Sequence, residues 1–248
     1  MILLLLPLMG LLLSGCAPEG RVVVPDLAEL PGLTSTSDPQ EVATGVQLLL
    51  LLTVLSLAPA VLILMTSFTR IIIVLSFVRN AVGAPQIPPN QVLIGLALFL
   101  TLFSMSPTLE AIDREAVKPY LSGAVDQAEA LRVAQEPLRD FMLRQTREKD
   151  IALLVQLSRE ERPASPADLS MAVLIPAFAL SELRTAFQMG VLVLIPFLVI
   201  DMVVASALMS MGMMMLPPSI VAMPFKLLLF VMVDGWHLTI SSLLASFA

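Results

Sequence analysis

The sequence predicts an all-α membrane protein, in which kinked or broken helices form two helical hairpins with a small helical extracytoplasmic insert. Hydrophobic residues make up 57% of the 248-residue chain and charged residues only 14%, whereas roughly a quarter of the residues in a soluble domain are charged. Of the 14 basic and 20 acidic residues, 21 lie between Glu110 and Asp168. The apolar stretches on either side must therefore be buried in a membrane or in a protein assembly.

The N-terminal residues predict a leader and a linker. Residues 1–16 are apolar from Ile2 onward and end in Ser14, Gly15 and Cys16, which is typical of a signal peptide. The Leu-Ser-Gly-Cys ending is similar to a bacterial lipoprotein box, but no Lys or Arg precedes the apolar run. Cleavage with or without lipid attached to the cysteine therefore stays open. Residues 17–41 are rich in Pro and Gly and predict a linker.

Residues 42–109 predict the first membrane helical hairpin. The 28 residues Val42–Thr69 carry no charge and are long enough to cross a bilayer. Arg70 and Arg79 follow, and a Pro-rich loop at 83–89 separates them from a second apolar segment. Because basic residues favour the cytoplasmic side, the loop that carries Arg70 and Arg79 is predicted to lie inside and the insert that follows outside.

Residues 110–168 predict a soluble helical periplasmic insert. Apolar residues recur there at i, i+3 and i+4 in two stretches, with charges at the other positions, which is the pattern of amphipathic helices. An isolated pair of such helices would leave both apolar stripes in water. We expect the stripes to pack on neighbouring subunits or on the rest of the chain. They are Leu138, Phe141 and Met142 in the first helix, and Ile151, Leu154 and Val155 in the second.

Residues 169–248 predict the second helical hairpin, with a third apolar segment at 169–216 and a fourth at 219–247. The third segment is too long for one simple crossing, and Pro176 and Pro196 are expected to interrupt it. Because broken helices in a membrane need other protein to satisfy the freed backbone groups, we expect a homo-oligomer or a multi-protein assembly.

Methionines crowd the turn between the last two apolar segments. Met is unbranched and polarizable, so a cluster of Met forms an apolar surface that deforms and re-packs. Such turns from several copies could seal a pore and still part around whatever passes through it. The alternative is that Met fills a membrane-buried core. The cluster comprises Met209, Met211, Met213, Met214 and Met215 and stops at Pro217-Pro218.

Ionisable residues within the last two apolar segments form a second candidate site. They are Glu182, Arg184, Asp201, Lys226 and Asp234. Burying such groups singly is costly, so they are expected to pair or to mark a polar path. We favour structural ion pairs that fix helix register across subunits, for instance Glu182 or Asp201 with Arg184 or Lys226 of a neighbour. The alternative is a proton relay in a small-molecule transporter, although no internal inverted repeat is evident.

The sequence argues against catalysis, metal binding and nucleic-acid binding. A net charge of −6 without a Lys/Arg-rich run disfavours nucleic acid as a partner. Cys16 and His237 are the single cysteine and the single histidine, so no intrachain disulfide and no Cys/His metal cluster can form. No nucleophile–base arrangement, Gly-rich phosphate loop or metalloprotease motif is present. We expect no enzymatic activity and no cofactor.

Four sequence blocks are specific enough to indicate a family. They are Met65–Arg70 with the Arg79-Asn80 and Pro88–Gln91 elements, Phe141–Glu148, Pro176–Gly190, and Ile195–Asp201 continuing through MGMMMLPP to PFKLLLFVMVDGW at Trp236. Together they resemble the FliP family of the flagellar type III export gate, over residues 42–247. The related injectisome export-gate subunits share this core but usually lack a signal peptide, so the leader favours the flagellar family over the injectisome alternative.

The resemblance implies a non-enzymatic subunit of the flagellar basal body in the bacterial inner membrane. Five copies would assemble with the membrane proteins FliQ and FliR, alongside other flagellar export proteins, into a gate through which unfolded flagellar subunits pass. The implied inter-subunit contacts are Phe141 and Glu182, and the implied methionine gate comprises Met211, Met213, Met214 and Met215.

Overall fold

The computed structural model describes residues 39–158, 165, 168–213 and 215–247. These ranges are helical and contain no strand, as the sequence predicts. The predicted leader and most of the predicted linker lie outside them. The helices are α1 (Pro39–Leu64), α2 (Phe68–Ala81), α3 (Asn90–Ser104), α4 (Ser106–Ile112), a π-helical turn (Asp113–Val117), α5 (Lys118–Leu121), α6 (Gln127–Gln145), α7 (Glu148–Ser158), α8 (Met171–Ser210), α9 (Pro218–Met232) and α10 (Gly235–Ala245).

The chain divides into two compact units between Leu57 and Ala58. The first unit contains the first part of α1, where Val46–Leu57 is an apolar helical stretch. The second unit contains the remaining residues and all the other helices. The functional candidates described below lie in this second unit.

The prediction that the uncharged stretch Val42–Thr69 forms one membrane segment is wrong at its C-terminal end. Helix α1 ends at Leu64, and α2 begins at Phe68, so that Arg70 and Arg79 lie within a helix and not in a loop. The reason is tertiary packing. One face of α2 is buried against α3 and α8, and Arg70 on that face is only 2% exposed because it has partners inside the protein. The apolar residues buried on this face are Ile71, Val74, Leu75 and Val78.

The insert helices pack on the rest of their own chain. Phe141 and Met142 of α6 are buried against Phe178 of α8, and the rings of Phe141 and Phe178 meet edge to face at 5.8 Å. Full burial of one such side chain contributes about 1.5–3 kcal/mol. The other predicted stripe residues are partly buried against the same cluster, namely Leu138, Ile151, Leu154 and Val155. The structure therefore shows both apolar stripes packed on the rest of the chain, which is one of the two predicted alternatives.

Helix α8 corrects a second expectation, because it runs unbroken for 40 residues through Pro176 and Pro196. Each proline removes one backbone hydrogen bond. Phe178, two residues after Pro176, and Phe197, directly after Pro196, are buried and anchor the helix at these points. At 1.5 Å per residue α8 is about 60 Å long. Within the part of the chain that the structure describes, α8 is the one helix long and apolar enough to cross a membrane, and up to three spans result if two bent helix pairs are each counted as one.

The two bent pairs have identifiable causes. Helix α3 meets the segment Ser106–Leu121 at 59°, and Pro107 stands in the first turn after the bend. Helix α9 meets α10 at 62°, where Asp234 adopts the left-handed conformation with φ of 51°. A Cβ on Gly235 would lie 2.2 Å from the ring of Phe230, so only glycine fits the second bend. The Asp234-Gly235 pair is the local turn signal for this bend.

A glycine substitution tests the packing of α2 on α8. A Cβ on Gly190 would lie 2.4 Å from the ring of Phe77, which is held edge to face against Phe187 at 5.3 Å. We expect Gly190→Ala to destabilise the protein by about 1–3 kcal/mol, because the ring must leave its site. The control is Gly95→Ala in α3, where nothing lies within 4 Å and alanine should stabilise the helix by about 0.5–1 kcal/mol. Thermal unfolding in detergent measures both, and equal melting temperatures for the two variants would contradict this packing.

Candidate functional site

The methionine turn, residues 209–215, begins where α8 ends. Gly212 has φ of 74°, a left-handed conformation that glycine adopts without strain. The amide of Gly212 donates to the carbonyl of Met209 at 3.1 Å, and the amide of Met213 donates to the carbonyl of Leu208 at 3.0 Å. These two bonds form a Schellman motif, which satisfies the last carbonyls of the helix. Pro218 then starts α9, so the turn has a defined beginning and end.

The described methionine side chains of this turn point away from the protein core. Met215 is 98% exposed, Met211 70%, Met209 59% and Met213 40%, whereas Met214 lies outside the described residues. The core of the second unit contains other methionines, among them Met105 and Met142, which are almost fully buried. Filling the core of this chain therefore does not account for the turn methionines.

An ion pair joins the two helices that carry the methionine turn. Lys226 of α9 donates from Nζ to Oδ2 of Asp201 in α8 at 2.5 Å. The lysine side chain is 9% exposed and that of Asp201 33%. Nearby, Phe197 of α8 and Phe230 of α9 pack against the end of α2. The hairpin is thereby fixed at its base. Only residues 202–208 of α8 separate Asp201 from the turn, a distance of about 12 Å along the helix.

Arg70 is the centre of a buried polar cluster, called here the Arg70 cluster. Its Nε donates to Oε2 of Glu182 at 2.9 Å, and its Nη2 contacts Oε1 of the same carboxylate. Nη2 also donates to Gln145 at 3.1 Å, and Nη1 donates to the carbonyl and hydroxyl of Ser246 at 3.0 and 2.9 Å. The guanidinium carbon lies 4.0 Å from the ring centre of Phe247. One side chain thus joins α2, α6, α8 and the residues after α10.

Comparison with known proteins identifies the family. The FliP family model matches residues 51–243, which contain the methionine turn, the Asp201–Lys226 pair and most of the Arg70 cluster. The chain belongs to the FliP family. The family resemblance drawn from the sequence is therefore confirmed.

Individual members of the FliP family match over most of their length. The flagellar biosynthetic protein FliP of Bacillus subtilis (strain 168) is 56% identical over 219 residues, which cover 88% of this chain and 99% of the relative. FliP of Pectobacterium carotovorum subsp. carotovorum is 53% identical, with 89% and 86% covered. FliP of Aquifex aeolicus (strain VF5) is 41% identical, with 89% and 93% covered.

The described ion pairs of these charged candidates form within one FliP-family chain, and pairing between subunits stays a prediction. Glu182 pairs with Arg70 and not with Arg184 or Lys226. Asp201 does pair with Lys226, but in the same chain. Phe141 is also buried in its own chain, at 4% exposure. A further role of Phe141 and Glu182 in contacts between FliP-family subunits stays a prediction.

The two remaining charged candidates, Arg184 and Asp234, differ in whether they form an ion pair. Arg184 of α8 lies 3.2 Å from Oδ1 of Asp150, a carboxylate that is 1% exposed at the start of α7. This pair fixes the insert of the FliP-family chain to α8. Asp234 is exposed at the bend before α10, and among the described residues it makes no ion pair. Its observed role is therefore the left-handed backbone of that bend.

The importance of Arg70 is not predicted from the sequence, in which Arg70 simply follows a long apolar segment. The available signal is that Arg70 is the single charge between Val42 and Val78. An isolated charge in such a long apolar stretch requires a partner inside the protein, although its partner Glu182 is 112 residues away along the chain.

Proposed function

We propose that this FliP-family chain is a channel-forming subunit of the flagellar type III protein export gate. Its relatives are named flagellar biosynthetic proteins, which favours the flagellar over the injectisome alternative. In this proposal several copies, five by the family resemblance, assemble with FliQ and FliR in the bacterial inner membrane at the flagellar basal body. Unfolded flagellar subunits pass through the assembly. The observation that carries the proposal is the methionine turn, whose described side chains are exposed at a fixed helix end.

The turn suits a seal because of its chemistry. Each copy contributes Met211, Met213, Met214 and Met215 to a common constriction, where apolar side chains exclude hydrated ions by keeping water out. Thioether side chains have three rotatable bonds and re-pack around different shapes. An unfolded polypeptide of varied sequence can therefore pass where a small hydrated ion cannot.

The two helices that carry the turn are held in a fixed position. The Asp201–Lys226 pair joins α8 to α9, and the packing of Phe197 and Phe230 fixes both helices to α2. Four of the five charged candidates thus have ion-pair partners, namely Glu182, Arg184, Asp201 and Lys226. This favours an export subunit over a transporter, in which carboxylates must be free to exchange protons along a path.

Removing the methionines tests the seal. We expect simultaneous Met213→Ala, Met214→Ala and Met215→Ala to raise the resting ion conductance of reconstituted assemblies about tenfold, because shorter side chains leave a constriction wide enough to hold water. The matched control is Met202→Ala with Met232→Ala, at two methionines that are 72% and 75% exposed but lie on helices outside the turn. The control should leave conductance unchanged. An unaltered conductance in the triple variant would contradict the proposal that the methionine turn seals the pore.

A further inference from the structure

The break between α9 and α10 is confined to very few residues. The amide of Val233 still donates to the carbonyl of Leu229 at 3.1 Å, as in a continuous helix. The amide of Leu238 already donates to the carbonyl of Asp234 at 3.1 Å. Between these bonds Asp234 is left-handed, and it is the one residue other than glycine with a positive φ in the part of the chain that the structure describes. The backbone of Asp234 therefore sets the 62° angle between the two helices.

The bend places an aspartate where the end of a helix favours glycine. A left-handed residue directly after a helix is usually glycine, because a Cβ is disfavoured in that conformation. Here the glycine comes one position later, since a Cβ on Gly235 would lie 2.2 Å from the ring of Phe230. Aspartate adopts the left-handed conformation more readily than most residues but less readily than glycine. The bend therefore has a backbone cost, which contacts elsewhere in the chain must offset.

Such contacts lie at the far end of α10, where the Arg70 cluster holds Ser246 and Phe247. Nη1 of Arg70 donates to the carbonyl and to the hydroxyl of Ser246 at 3.0 and 2.9 Å. Gln145 donates from Nε2 to the carbonyl of Phe247 at 3.4 Å. The ring of Phe247 packs on two apolar clusters, one shared by the insert and α8 and the other by α2, α3 and α8. These contacts hold α10 in its bent position.

We propose that the bend at Asp234 is a hinge, and that Ser246 and Phe247 form a latch that holds α10 closed on the Arg70 cluster. When the latch is released, Asp234 takes the right-handed conformation, and α9 and α10 join into one helix over residues 218–245, about 42 Å long. The end of α10 then leaves the Arg70 cluster, while the Asp201–Lys226 pair still holds α9 on α8. This inference does not depend on the proposed export function.

The composition of the latch makes its closure depend on the rest of the fold. Arg70 comes from α2 and Gln145 from the insert, and the two apolar clusters under Phe247 include residues of α8. The site for the latch is therefore complete only when α2, the insert and α8 have packed together. A chain whose insert is undocked would keep α10 open. Closure of α10 is then the last step in the folding of the subunit.

Spin labels on either side of the bend test the hinge. The labels are attached at Ile220→Cys and Ala245→Cys, two exposed positions, in a Cys16→Ser background that has no other thiol. Pulsed electron paramagnetic resonance gives their distance in the detergent-purified full chain, which is mixed with excess unlabelled chain so that pairs within one chain dominate. Straightening the 62° bend lengthens this distance by about 5 Å. Without further substitution we expect the short distance.

Substitutions in the latch and in the hinge should shift this distance in opposite directions. Ser246→Ala with Phe247→Ala, called here the latch variant, should move most chains to the long distance. Adding Asp234→Gly should return part of them to the short distance, because glycine adopts the left-handed conformation without cost. The matched control is Ser241→Ala with Phe99→Ala, at two exposed positions away from the latch, and it should keep the short distance.

Three results would overturn the inference. The first is a latch variant that keeps the short distance, and the second is a control that lengthens as much as the latch variant. The third concerns Asp234→Ala in the otherwise unchanged chain, which disfavours the left-handed conformation without touching the latch. It should populate the long distance, and an unchanged short distance would show that Asp234 is no hinge. This last variant also decides the matter if the latch variant fails to fold.

Discussion

Replacing Arg70 with alanine is expected to prevent stable folding. Glu182 is fully buried, and without Arg70 its carboxylate would lose the one ion-pair partner that it has among the described residues. Breaking a buried ion pair by removing one partner costs about 3–5 kcal/mol, which approaches the whole net stability of many proteins, about 5–15 kcal/mol. Gln145 and Ser246 lose their hydrogen bonds to the guanidinium as well. The measurement is the yield and melting temperature of the detergent-purified protein.

Two controls separate loss of charge balance from loss of any arginine. Combining Arg70→Met with Glu182→Leu removes both charges and should recover most of the lost stability, because an unpaired buried charge costs more than its replacement by apolar atoms. Arg132→Ala removes an arginine that pairs with Glu129 and Glu136 at the surface, and it should leave the melting temperature unchanged. If the Arg70→Ala protein had the same melting temperature as the wild type, the Arg70 cluster would not stabilise the fold.

Reversing the charge of Asp201 is expected to abolish assembly and flagellar export. In Asp201→Lys, a second ammonium group would face Lys226, whose side chain is nearly buried, and like charges at that separation repel strongly. The α8–α9 hairpin would open at its base and the methionine turn would lose its fixed position. The complementary variant, Asp201→Lys with Lys226→Asp, should restore assembly in part. Native gel electrophoresis and motility measure the two outcomes.

A surface pair of the same residue types provides the matched control. Lys118 and Asp113 lie 2.9 Å apart with side chains 70% and 52% exposed, so Asp113→Lys should leave assembly and motility unchanged. The same position also discriminates the transporter alternative. Asp201→Asn should impair assembly if the carboxylate is structural, whereas normal assembly with complete loss of function would favour a proton relay.

The fold was predictable where the relevant signal is local in sequence. The apolar stripes of α6 and α7 follow the helical period, and the Pro217-Pro218 pair marks the end of the methionine turn. The role of a charge in an apolar segment is harder to predict, because a residue such as Arg70 is compatible both with the end of the segment and with a buried ion pair. Only contact with Glu182, far away in sequence, decides between these meanings. Likewise, Pro176 and Pro196 interrupt an isolated helix, but packing on either side keeps α8 continuous.

The sequence predicts where the methionine site lies, but it does not predict which of the methionine side chains are exposed. The sequence shows which methionines cluster and where the turn must fall. Their exposure depends on how α8 and α9 pack on α2, which is a property of the folded chain. The same limit applies to Asp201 and Lys226, whose pairing within one chain follows from the antiparallel return of α9 along α8.

Site-specific photo-crosslinking at Met215 provides the most direct measurement of the passage. A photoreactive amino acid is placed at position 215, or at the control positions 202 and 232, where the methionines are 72% and 75% exposed. An export substrate fused to a tightly folded domain is then stalled in the apparatus. Position 215 should crosslink to the stalled polypeptide, and positions 202 and 232 should not. Crosslinking of position 215 to lipid alone, with substrate captured elsewhere, would contradict a methionine-lined passage.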